Sequence, residues 1–124
     1  MIQSISILIA DNDPMIRQCL RHIIESDPRI QVLWEAENGL QALKIAKEMH
    51  PDLILIDAQL PRMDGLETTR CLRQWAILSK VIVISVYSQM REEALQAGAD
   101  EFVTKDACCE LLQKQLKEML EPPH

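Results

Sequence analysis

The sequence predicts a doubly wound α/β domain, a five-stranded parallel sheet flanked by five helices. Two observations carry that expectation. Three short runs are apolar throughout and rich in β-branched residues, as strands covered on both faces require. Between them lie stretches with the three-four apolar spacing of one-sided helices, so that strand and helix alternate strictly, five of each.

The first strand is expected over 5–10, broken only by Ser6. Asp13 can cap and Pro14 can start the first helix, whose Met15, Ile16, Cys19, Leu20, Ile23 and Ile24 share one face. Residues 31–37 alternate, with Val32, Trp34 and Ala36 on one side and Gln31, Glu35 and Glu37 mostly on the other, the pattern of an edge strand. Asn38 caps a second helix carrying Leu40, Leu43, Ala46 and Met49, stopped before Pro51. A strand over 53–56 and a helix over 66–76 follow. The fourth strand occupies 81–86, broken by Ser85, and a short helix over 88–97 closes at Gly98. Residues 101–104 form the weakest strand. The last helix runs from about Ala107, with Leu111, Leu112, Leu116, Met119 and Leu120 in register.

The 124 residues suit one compact domain, here 1–120, with 121–124 as a tail or the start of a linker. Nineteen acidic against thirteen basic residues give a net charge of −6, which argues against binding nucleic acid, since little could neutralise many phosphates. No apolar run is long enough to span a membrane, and no basic-then-apolar leader opens the chain. Cys19, Cys71, Cys108 and Cys109 lack metal-ligand spacing, and the adjacent pair is poorly placed for a structural bridge. They read as reduced thiols of a cytoplasmic protein. His22 and His50 fall on helices as ordinary histidines.

In a doubly wound sheet the working site lies beyond the carboxyl ends of the strands. There the sequence puts Asp11-Asn12-Asp13, Asp57, Ser85 and Lys105. Any one of these could simply solvate a turn, but four complementary groups at four strand ends point to chemistry. Clustered carboxylates beside a backbone carbonyl suit Mg2+. A carboxylate beside that ion can attack phosphorus, with lysine and hydroxyl neutralising the oxygen charge. Gly39, Gly65 and Gly98 are expected in turns and form no phosphate-cradling loop, which excludes a P-loop.

At these residues the chain resembles a bacterial two-component response-regulator receiver domain over essentially its whole length. The resemblance rests on Asp52-Leu-Ile-Leu-Ile-Asp57-Ala-Gln-Leu-Pro61-Arg-Met63-Asp64-Gly65-Leu66-Glu67. It implies a flavodoxin-like sheet of order 2-1-3-4-5 and Asp57 as the aspartate that takes a phosphoryl group from a phosphohistidine. It also implies the backbone carbonyl of Gln59 as a metal ligand, Asp11 as the first member of an acidic pair, Ser85 as the switch hydroxyl, Phe102 as the switch aromatic, and Lys105 as the conserved-type lysine. Pro61 and Gly65 would shape the loop. The stretch from Gly98 to Ala107 and the Ile-Leu-Ile-Ala-Asp11 wording resemble the subgroup that precedes a LuxR-type helix-turn-helix domain. The chain would then be a piece of a transcription regulator or a free-standing receiver. A sensor histidine kinase or phosphotransfer protein is the implied partner. Similar receivers pair through the first and fifth helices or around the fourth helix, so a homodimer is also open.

Three departures stand out. Asn12 occupies the position that normally gives a carboxylate to Mg2+, which implies weakened metal binding; Asp13 is either a compensating helper or only a helix cap. Asp106 follows Lys105 where proline is common, so a cis bond is not expected there. The segment from Ser85 to Gly98 is about two residues shorter than the family's pattern.

Two other readings compete. Asn12 suggests a degenerate receiver that binds partners without phosphorylation. Asp11-Asn12-Asp13 after an apolar strand also resembles the nucleophile motif of haloacid-dehalogenase-type phosphatases, with Asp11 attacking. That reading leaves the Asp57 segment unexplained.

Overall fold

A computed structural model describes residues 4–120. Five parallel strands, β1 (Ile5–Ala10), β2 (Ile30–Ala36), β3 (Leu53–Asp57), β4 (Lys80–Ser85) and β5 (Glu101–Thr104), form one sheet in the order β2-β1-β3-β4-β5. The helices α1 (Pro14–Glu25), α2 (Gly39–Met49), α3 (Gly65–Gln74), α4 (Arg91–Ala97) and α5 (Cys108–Leu120) alternate with them. Short 3-10 turns precede α4 and α5. The expected fold class and strand order are both realised. The expected tail at 121–124 lies outside the described residues.

Alternation along each strand divides the interior into two layers. Leu8, Ile54, Ile56, Val81, Val83 and Phe102 pack under α2, α3 and α4. Ile7, Ile9, Leu53, Leu55, Ile82 and Ile84 pack under α1 and α5. Each fully buried aliphatic side chain contributes about 1.5–3 kcal/mol. The central strands are buried on both faces, which is why their sequences are apolar without alternation.

Two helix starts, at Asp13 and Asn38, follow the expected chemistry, and Asp64 adds a third cap that the sequence reading did not single out. Asp13 accepts from the Met15 amide, Asn38 from Gln41 and Asp64 from Glu67, each satisfying an otherwise unpaired N–H. Gly98 closes α4 with φ +111°.

Several expectations need correction. Met15 is 77% exposed, Leu40 46% and Met49 52%. These residues lie in the first or last turn of their helices. Cys19 is exposed at the flank of its stripe. The third helix stops at Gln74, because Ala76 turns left-handed. The fourth strand ends at Ser85, leaving Val86 exposed. Gly39 and Gly65 open helices instead of lying in turns. His50 follows α2 as its left-handed cap. The side chains of Gln31, Val32, Met119 and Leu120 lie outside those described.

Candidate functional site

The carboxyl ends of β1, β3 and β4 and the turn after β5 bring Asp11, Asp57, Ser85 and Lys105 to one rim. Parallel neighbours fix this convergence: Ala10 pairs with Ile56, and Asp57 with Ile84, so Asp11 and Asp57 emerge side by side. Gly65 fixes the loop behind Asp57. A Cβ there would lie 2.2 Å from the Asp57 carbonyl oxygen, so only glycine allows α3 to start so close to the strand.

Asp11 and Asp57 are 1% and 4% exposed. The Lys105 ammonium lies 2.9 Å from Asp57 Oδ2 and 3.3 Å from Asp11 Oδ2. Asp11 Oδ1 accepts from the Asp13 amide at 2.8 Å, and Asp57 Oδ1 from the Gln59 amide at 3.0 Å. Burial pushes the Asp11 carboxyl above the ordinary aspartate range and the charge of Asp57 adds to it, against the lowering pull of the Asp13 N–H and Lys105. Burial also works against the Lys105 ammonium. The hydrogen bond to Asp57 and the two carboxylate charges outweigh it, so its pKa lies above that of an ordinary lysine.

One atom is left over. Asp11 Oδ2 is buried and accepts no hydrogen bond, although the ammonium is nearby. A buried carboxylate oxygen without a donor is costly unless a cation meets it. Among the described residues no group of three His, Cys, Asp or Glu side chains could share an ion. A divalent ion here would therefore rest on two carboxylates plus neutral oxygens, the Gln59 carbonyl and the Asn12 amide. That donor set fits Mg2+, which takes one or two carboxylates and keeps several waters. Asn12 is exposed at the rim. Asp13 is also exposed, with its carboxylate engaged as the cap of α1.

Ser85 is fully buried. Its hydroxyl donates to Gln59 Oε1 at 3.1 Å and accepts from the Tyr87 amide at 3.0 Å. Phe102 is buried in the layer under α4, with the Arg91 guanidinium 5.1 Å from its ring centroid. The peptide joining Lys105 to Asp106 is trans. The sequence reading missed the side chain of Gln59, which bridges Ser85 and Met90. It also missed Arg17, which donates to the Asp11 carbonyl at 2.6 Å. Neither carries a sequence signal, because both depend on how separate elements meet.

A family model for the response regulator receiver domain matches residues 7–117. The nitrate/nitrite response regulator NarL of Escherichia coli is 39% identical over 113 residues, covering 90% of this chain and 52% of that protein. A protein-glutamate methylesterase/protein-glutamine glutaminase of Syntrophus aciditrophicus is 42% identical over 99 residues, 77% of this chain and 28% of that protein. The chain thus spans about half or less of the length of these relatives. The receiver domain of a NarL response regulator from Mycobacterium tuberculosis superposes with a TM-score of 0.86 at 25% identity, covering 98% of this chain and 99% of that one. A LuxR-family DNA-binding response regulator from Staphylococcus aureus gives 0.84 at 27% identity, covering 94% and 99%.

Proposed function

The chain belongs to the response-regulator receiver family, and on that premise we propose that it is a phosphoacceptor switch in which Asp57 takes a phosphoryl group from a phosphohistidine. The observation that carries this reading is the buried Asp57 carboxylate, held 2.9 Å from Lys105 with Asp11 alongside. An Asp57 oxygen supplies the lone pair. Its bond to phosphorus forms as the phosphorus–imidazole bond breaks, and the histidine nitrogen keeps the departing pair.

Lys105 neutralises charge on one phosphoryl oxygen. Ser85 leaves Gln59 to donate its hydroxyl to another, and Phe102 is the aromatic partner of that movement. Asp11, Asp57, the Asn12 amide and the Gln59 carbonyl are the oxygens that would hold Mg2+. When bound, the ion neutralises the phosphoryl oxygens and aligns them for transfer. With Asn12 neutral, the chain offers one charge fewer than an acidic pair, so its affinity is lowered without being lost. Asp13 could help only by releasing the Met15 amide that it caps.

The donor is a sensor histidine kinase or phosphotransfer protein in the cytoplasm. Among the described residues no helix is long and apolar enough to cross a membrane. The likeness to NarL and to a DNA-binding LuxR-family regulator supports a role in transcription control. The acid excess supports leaving the DNA contact to another part of the protein. Phosphorylation would act by changing partner or dimer contacts.

Incubation with acetyl phosphate and Mg2+, followed by intact mass, tests the reading. One phosphoryl adduct is expected, lost in Asp57→Ala and on chelation. No adduct at any metal concentration would overturn it in favour of a phosphorylation-independent interaction module. Steady turnover of p-nitrophenyl phosphate that depends on Asp11 would favour a phosphatase.

A further inference from the structure

Cys19 and Cys109 are 90 positions apart in sequence, yet their sulfurs lie 3.1 Å apart where α1 packs beside α5. Cys108 adjoins them, buried in the layer under the same two helices, while Cys109 is half-buried and Cys19 exposed. Nothing in the phosphoacceptor reading uses these thiols. We propose that Cys19 and Cys109 form a peroxide-sensitive dithiol that closes to an intrachain disulfide joining α1 to α5.

A disulfide requires sulfurs at about 2.05 Å, so these two, at 3.1 Å, need only a short further approach to bond. Cys19, the exposed partner, meets the oxidant. Its thiolate attacks one oxygen of hydrogen peroxide, the S–O bond forms as the O–O bond breaks, and the departing hydroxide leaves as water after protonation. Cys109 sulfur then attacks the Cys19 sulfenic sulfur. The S–S bond forms, and hydroxide leaves as a second water with the Cys109 proton. Two thiols and one peroxide thus give one disulfide and two waters. Burial, reinforced by the hydrogen bond to Cys19, pushes the Cys109 thiol up to about 12. The exposed Cys19 therefore meets peroxide first, and Cys109 gives up its proton only as its sulfur bonds to the sulfenic sulfur. The resulting link would tie together the helix that follows Asp11 and the helix that follows Lys105.

The test treats the reduced protein with hydrogen peroxide, blocks remaining thiols with iodoacetamide and maps the peptides. Two thiols should become unavailable with no added oxygen, a fragment should link Cys19 to Cys109, and dithiothreitol should restore both. Cys19→Ser and Cys109→Ser should each abolish the link, and Cys71→Ser should leave it intact. Unchanged far-ultraviolet circular dichroism, with Cys109→Ala as a second variant, separates loss of the link from loss of the fold. The oxidised wild type should also show a higher urea midpoint than the reduced form. Four alkylated thiols after treatment, a Cys108–Cys109 link, or a disulfide between two chains through Cys19 would overturn the proposal.

Discussion

Arg73 and Lys105 each anchor an ionic cluster at one end of the same sheet, and the two clusters differ in how completely they are satisfied. The Arg73 guanidinium donates to the carbonyls of Gly98, Ile77 and Ser79 and to Asp100 Oδ2, all between 2.8 and 2.9 Å. The same Asp100 oxygen accepts from the Val81 amide. Four hydrogen bonds from one planar fork are spent on holding loops together. At the other end Lys105 serves two buried carboxylates and leaves Asp11 Oδ2 without a hydrogen bond. The Arg73 cluster is complete within the chain, as a structural clamp should be. The Lys105 cluster leaves one buried carboxylate oxygen without a hydrogen bond, which is what the proposed cation site would use.

That difference can be broken from either side. Arg73→Ala should lower stability by about 2–4 kcal/mol in urea titration, because three carbonyls lose their donor at once. Most of the cost comes from the carbonyls, since the ion pair to Asp100 is partly exposed and screened. Acyl-phosphate formation by the folded fraction should persist. If instead phosphorylation fails while stability holds, Arg73 is no mere clamp.

Asn12→Asp acts at the incomplete end and should tighten Mg2+ binding roughly tenfold, since cation affinity follows ligand charge. Titration followed by fluorescence or NMR decides it, and unchanged affinity would remove Asn12 from the ligand set. Asp11→Asn should have the smallest effect, a gain of about 1 kcal/mol in metal-free buffer at neutral pH. The sign follows from burial. Asp11 holds its proton more tightly folded than unfolded. Its contribution to stability is therefore fully present below the ordinary value of 3.8 and is lost as pH rises through the raised folded value. The advantage of the variant should shrink as pH falls toward 3.8. A gap that stays constant with pH would contradict this account.

Much of this was legible in the residues. Short β-branched apolar runs such as 53–56 suit strands covered twice, and Asp13, Asn38 and Gly98 announced helix boundaries through purely local hydrogen bonding and φ preference. The rim was legible too, because Asp57 and Lys105 stand at strand ends, and parallel strands bring their carboxyl ends together. Burial along a helix was less readable. Met15 and Leu40 share a face with core residues but stay exposed in the first turns of their helices, and periodicity records direction without reach. The Gln59 side chain between Ser85 and Met90 had no signal at all.

The sequence by itself determined the alternation of elements, the strand order through its family resemblance, and the identity of the rim residues. These follow from short-range periodicity, capping and motif spacing. The tertiary structure alone decided which charges were completed and which were left open, and that the sulfurs of Cys19 and Cys109 lie 3.1 Å apart. Those outcomes depend on ångström-scale distances between elements far apart in the chain, where packing decides and no local pattern in the residues records the result.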